Sequence, residues 1–137
     1  MAHWLVKSEP GAWSFADHAR KGVQGWDGVR NHQAANNMKA MRLGERAFFY
    51  HSGDEKRVVG VLEVAKEYHP DPTDASGRFG MVDFKALHPL KAPVTLAAIK
   101  AEKRLRHLEL LRQSRLSVVP IDDQAWRLIC GMGGVEA

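Results

Sequence analysis

Arg46-Ala47-Phe48-Phe49-Tyr50-His51-Ser52 and Val58-Val59-Gly60-Val61-Leu62-Glu63-Val64-Ala65-Lys66-Glu67 are two runs rich in β-branched and aromatic residues. Between them stands the polar pentapeptide Gly53-Asp54-Glu55-Lys56-Arg57. That arrangement predicts a β-hairpin. Phe48 and Phe49 project to opposite faces of the first strand, so only one of them is expected to meet the core or a pocket. Beyond the hairpin, His69 to Gly77 contains two prolines and reads as a loop, and the alternation from Met81 to Leu90 predicts a third long strand. Toward the N-terminus, His3 to Lys7 reads as a short strand stopped by Ser8-Glu9-Pro10-Gly11. Ser14 and Asp17 form a capping-box pattern for a helix that Gly22 closes, and Gly25-Trp26-Asp27-Gly28 is a loop. A helix runs from Asn31 to Met41, ending before Gly44, although its three asparagines are weak helix formers.

Toward the C-terminus, Thr95 caps a short helix over Leu96 to Ala101, and further helical turns lie around Leu105 to Leu111. Leu116 to Ile121 is a strand in which Pro120 points to an edge or a strand end. Asp122 or Asp123 caps a last helix that Gly131 is expected to terminate. Strands and helices mix without a βαβ repeat. The reading is one α+β domain over residues 1–137, a small curved sheet or open barrel with flanking helices.

The 137 residues are 45% hydrophobic and 26% charged, ordinary values for a globular domain. A chain of this size needs neither disulfides nor metal to hold a core. Its longest mainly apolar stretch, Val58 to Ala65, is broken by Glu63 and is too short to span a membrane. Met1 to Lys7 lacks the basic-then-apolar pattern of a signal peptide, and the single cysteine, Cys130, forms neither an intrachain disulfide nor a cysteine zinc cluster. A non-secreted, cytoplasmic, intracellular protein is expected, acting as a monomer. The formal charge of +4 is concentrated. Between Lys100 and Arg115, six basic residues stand against Glu102 and Glu109, an excess equal to that of the whole chain. Such a local excess suits a polyanion and predicts phosphate contacts from Lys103, Arg104 and Arg106; a solvated helix face is the alternative.

No pair among the seven histidines has metal-ligand spacing, and no nucleophile elbow or phosphate-binding loop is present. Gly131-Met132-Gly133-Gly134 follows a helix and opens none, and Cys130 beside Ile129 reads as core. No cofactor or metal is expected. A different concentration stands out. Ser8, Asn31, Gln33, Asn36, Asn37 and Ser52 fall at strand ends or helix starts, accompanied by Trp4, Trp26, Phe49, Tyr50 and His51. Flat platforms beside uncharged hydrogen-bonding groups are what a nucleobase pocket requires. Trp26, flanked by glycines, reads as presented for stacking, with packing over a strand edge as the alternative. Trp4, Trp13 and Trp126 lie in or beside apolar-periodic elements and read as core.

Four segments together resemble the EVE domain family. They are Trp4-Leu5-Val6-Lys7-Ser8-Glu9-Pro10, the block from Trp26-Asp27-Gly28-Val29-Arg30-Asn31 through Asn37, Phe49-Tyr50-His51-Ser52, and Arg115-Leu116-Ser117-Val118-Val119-Pro120. They follow the family's order over nearly the whole chain. His32 and Ala35 depart from the aromatic and the arginine common at those places. The resemblance implies a PUA-like mixed pseudobarrel and a non-enzymatic reader domain that takes a flipped, modified base of DNA or RNA into a pocket. Carried over by position, the base would meet Lys7, Ser8, Glu9, Trp26, Val29, Asn31, His51 and Ser52. Arg115 and Ser117 would flank the site and reach phosphate. Two other readings stand beside it: a general RNA-binding subunit indifferent to modification, and a small hydrolase or modification enzyme using His51 with Glu9 or Asp27 as an acid/base pair.

Overall fold

In the computed structural model, which describes residues 1–137, the hairpin forms as predicted. Its strands are Arg46–His51 (β3) and Arg57–Pro70 (β4), paired antiparallel with Phe48 opposite Val61. Gly80–Thr95 (β5) pairs antiparallel with β4, and both strands run further than alternation suggested, so His69 and Pro70 belong to a strand rather than to the loop. Their register shifts at four places, among them Val58/Gly60 and Val64/Lys66. Bulges of this kind bend strands and tighten their twist, so strands of 14 and 16 residues curve instead of lying flat. His3–Ser8 (β1) lies parallel to β3, and Val118–Ile121 (β6) pairs antiparallel with β1. Val23–Gly25 (β2), which carried no strand signal, is held against β5. The order β2-β5-β4-β3-β1-β6 puts Pro120 on an edge strand, where its missing N–H is tolerated.

The helices are Phe15–Lys21 (α1), His32–Ala40 (α2), Leu96–Ala101 (α3), Glu109–Arg112 (α4) and Asp123–Met132 (α5), with a 3-10 turn at Lys103–Leu105. Their starts follow local chemistry. Ser14 Oγ accepts from the Asp17 N–H while Asp17 accepts from the Ser14 N–H, a complete capping box. Asn31, Thr95 and Asp122 cap α2, α3 and α5 through their side-chain oxygens. Gly131 does not end α5: the helix continues to Met132 and Gly133 caps it.

A contiguous core of 33 buried residues fills both sides of the sheet. Phe48 and Phe49 are therefore both fully buried, against the expectation that one would be spare. Phe48 stacks on Trp126 of α5 with centroids 3.9 Å apart, while on the other face Phe49 meets the edges of Phe15 and Trp26. The sheet is covered twice, so alternation no longer separates inside from outside. Phe15 lies so close to Gly60 that any side chain there would collide with its ring. Glu45 is buried but saturated, accepting from the Trp4 indole and the N–H groups of Ala2 and Arg42. Cys130 is buried in the core, where burial raises its thiol pKa to about 11 against a smaller lowering by Arg46. No helix is long and apolar enough to cross a membrane.

Candidate functional site

Where β1 ends, the chain turns through Pro10 to Trp13 into α1, and the Trp26 loop leaves β2 on the neighbouring side. Between them lies a cavity of about 570 Å³, lined on one side by Lys7, Ser8 and Trp13 and on the other by Trp26, Val29 and Asn31, with Ser117 at its margin. Volumes of this order hold a small planar ligand.

Each wall is held by bonds that follow from the fold. The Trp26 N–H donates to the Val82 carbonyl at 2.8 Å, anchoring the loop to β5. Its indole is only 8% exposed and packs edge-on against Phe49 and Phe84, so Trp26 is a core residue that also forms cavity wall, not a side chain held out to solvent. Trp13, read as core from the sequence, is half-buried and lines the cavity. Its indole N–H donates to Nδ1 of His18, which is fully buried and whose Nε2 faces the Phe84 carbonyl at 2.8 Å. Ser8 Oγ donates to the Trp13 carbonyl at 2.6 Å. Asn31 spends its side-chain carbonyl on capping α2, which leaves its amide N–H groups free to donate. Lys7 donates to the Ser114 carbonyl at 2.9 Å and lies 5.8 Å from the Tyr50 ring centroid; burial lowers its pKa.

Glu9, His51 and Ser52 are not brought to this cavity. Glu9 is exposed, with its side chain beside Gly53. His51 is buried behind the wall, where Nε2 accepts from the Phe15 N–H at 3.1 Å and Nδ1 donates to Glu55 at 2.9 Å. Both ring nitrogens are committed, Nε2 to the start of α1 and Nδ1 to the β3–β4 turn, and the carboxylate beside His51 is Glu55, not Glu9 or Asp27. Ser52 lines a separate hollow of about 290 Å³ with Lys7, Lys56, Lys100 and Ser114. A third hollow, of about 390 Å³, is lined by Asn31, Gln33, Arg112, Gln113 and Arg115. Lys103, Arg104 and Arg106 are exposed on and beside the 3-10 turn and line none of the five principal cavities. Asn37 donates to the Val118 carbonyl, tying α2 to β6. No group of three or more His, Cys, Asp or Glu side chains is placed to hold a metal ion.

Sequence reading missed Asp71. Its buried carboxylate accepts from the Gly28 N–H at 2.8 Å, from Arg30 at 3.0 Å and from both the N–H and hydroxyl of Thr73. Burial alone would raise its pKa, but these bonds from Thr73, Gly28 and Arg30 prevail and hold it at about 2. Gly28, at φ +79°, supplies the left-handed turn that aims its N–H at this carboxylate. The only sequence signal was an aspartate before Pro72 in a loop, too common to single out.

The EVE domain family model matches residues 2–132. Human thymocyte nuclear protein 1 is 30% identical over an alignment of 165 residues that takes in 96% of this chain and 73% of that protein. An NMR structure of a Rhodopseudomonas palustris protein superposes with a TM-score of 0.92 at 55% identity, covering 98% of this chain and 94% of the other. The crystal structure of human THYN1 protein in complex with 5-methylcytosine-containing DNA superposes equally well, with a TM-score of 0.92 at 31% identity and complete coverage of both chains. The curved mixed sheet is thus the PUA-like α+β fold of these relatives, and with the match running from β1 to α5 this chain belongs to the EVE domain family.

Proposed function

We propose that this domain is a non-catalytic nucleic-acid reader that accepts one extruded, modified base in the cavity between Trp13 and Trp26. The observation that carries the reading is the composition of that cavity: two indoles, with uncommitted hydrogen-bonding groups between them. Stacking on an aromatic contributes roughly 1–3 kcal/mol per base irrespective of its identity. Identity is read at the edges. The Asn31 amide offers donors, and the Ser8 hydroxyl, its proton given to Trp13, offers lone pairs. Val29 is the aliphatic part of the lining, where a methyl substituent would gain about 0.8 kcal/mol, or roughly a fourfold preference. The human relative crystallised with 5-methylcytosine-containing DNA supports a nucleic-acid partner. Glu9, His51 and Ser52 support the walls from outside in this reading, and the arrangement of His51 argues against an acid/base role.

The test is a binding screen with DNA and RNA oligonucleotides that differ only in one modified base. A several-fold preference for a modified strand is expected. Equal affinity for all strands would leave a general nucleic-acid binder, and turnover of any strand would make the domain an enzyme.

A further inference from the structure

We infer that the two basic hollows beside the base cavity are phosphate sockets, holding the phosphates on either side of the extruded nucleotide; this rests on the nucleic-acid reading above. The first gathers Lys7, Lys56 and Lys100 around Ser52 and Ser114. The second gathers Arg112 and Arg115 around Gln33 and Gln113. No carboxylate lines either one, whereas Asp27 lines the base cavity. Lys56, Lys100 and Arg115 take part in none of the protein's ion pairs, and Arg112 reaches only Glu109, at 3.4 Å on the exposed face of α4. Cations collected in a concavity without an internal counter-ion raise the local potential and draw an anion. The hydroxyls of Ser52 and Ser114 and the Gln33 amide beside them are the neutral donors that complete phosphate contacts, whereas the Gln113 amide already donates to Glu109.

Adjacency selects the phosphate of a nucleic acid over a free anion. Lys7 is a wall of both the first hollow and the base cavity, Asn31 of both the second hollow and the base cavity, and Ser114 of both hollows. The three concavities share one rim. A nucleotide carries its sugar between two phosphates, so a base seated in the cavity brings those phosphates to that rim. Lys103, Arg104 and Arg106 stand away from it, and the Arg104 guanidinium is taken up by Glu102 at 2.9 Å. Lys56 enters from the β3–β4 turn, remote in sequence from the basic run.

The experiment measures affinity for a single-stranded oligonucleotide with one 5-methylcytosine, by fluorescence anisotropy across salt concentrations. It compares the wild-type chain with K56Q/K100Q, R112Q/R115Q and K103Q/R104Q/R106Q. All seven side chains are exposed, and thermal melting verifies that each variant stays folded. Each socket pair is expected to flatten the plot of log K against log salt by about 1.4, or about 0.7 per lost contact. The ratio of affinities for modified and unmodified strands should stay within about twofold in all three variants, because none of these residues lines the base cavity. The triple variant should keep the wild-type slope. Socket variants with the wild-type slope, or a triple variant that alone flattens it, would overturn the inference while leaving the base reading standing. A wild-type chain that binds no strand would remove both.

Discussion

The indole N–H of Trp13 donates to Nδ1 of His18 at 3.1 Å, and Nε2 of the same imidazole donates to the Phe84 carbonyl at 2.8 Å. One ring nitrogen accepts and the other donates, so only neutral histidine satisfies the pair. The rings packed on His18 are those of Trp13, Trp26 and Phe49, all uncharged. A proton on Nδ1 would set N–H against N–H and release the cavity wall.

Acid should therefore loosen the domain. Burial lowers the pKa of His18 against a smaller raising by Phe84, and burial likewise lowers that of His3 against Asp123. With the folded pKa below the unfolded one, the unfolded chain binds more protons as pH falls. Stability is then full above the ordinary histidine pKa of about 6.5 and declines as pH drops below it toward the lowered folded value. Thermal melting from about pH 7.5 to about pH 5 should show a falling Tm. His18→Leu should make that fall shallower without abolishing it, since His3 remains.

The two tryptophans should separate binding from folding. Trp13→Ala is expected to weaken binding to the modified strand about 5- to 150-fold, the equivalent of one stacking contact, and to cost about 1–3 kcal/mol of stability because buried Nδ1 of His18 loses its donor. Trp26→Ala should cost about 3–5 kcal/mol of stability, as for other large core truncations. Trp26→Phe is the usable variant at that position. An unchanged affinity in folded Trp13→Ala would remove this residue from the base site.

Asp71 should behave as the clasp of the Trp26 loop. Asp71→Ala leaves the Gly28 N–H and Arg30 without their acceptor and should destabilise the fold by about 1.5–3 kcal/mol, the range for hydrogen bonds to a charged group. Its folded pKa of about 2 lies below the unfolded value, so this contribution is present above the ordinary aspartate range and is lost as pH falls through about 2. Hydrogen exchange should show faster opening across residues 26–30 in the variant while β3 stays protected. Protection unchanged in that loop would mean that Val82 alone holds it.

Cys130 should be inert in the folded protein. With its thiol buried and its pKa raised to about 11, native protein at about pH 8 should resist a thiol reagent that labels the unfolded chain fully. Cys130→Ser should lower stability by about 1–3 kcal/mol through the buried hydroxyl and leave nucleic-acid affinity as it was. Rapid native labelling would contradict this burial.

Chain order alone determined the hairpin, the third strand, the side-chain caps at Ser14, Thr95 and Asp122, and Pro120 as an edge or a strand end, because each of those signals acts between residues a few positions apart. Ser14 finds Asp17 three residues on. Tertiary structure decided the rest. Val23–Gly25 is a strand only because β5 is long enough to pair with it. Phe48 and Phe49 are both interior because α5 closes the second face of the sheet with Trp126. His51 is drawn off the cavity by the Phe15 N–H, 36 residues away, and Asp71 reaches Gly28 across 43. The sequence concentrates its positive charge between Lys100 and Arg115, yet the fold turns part of that run away and brings Lys56 to the rim instead. Pairings of that separation depend on sheet order and curvature, which no local pattern of residues encodes.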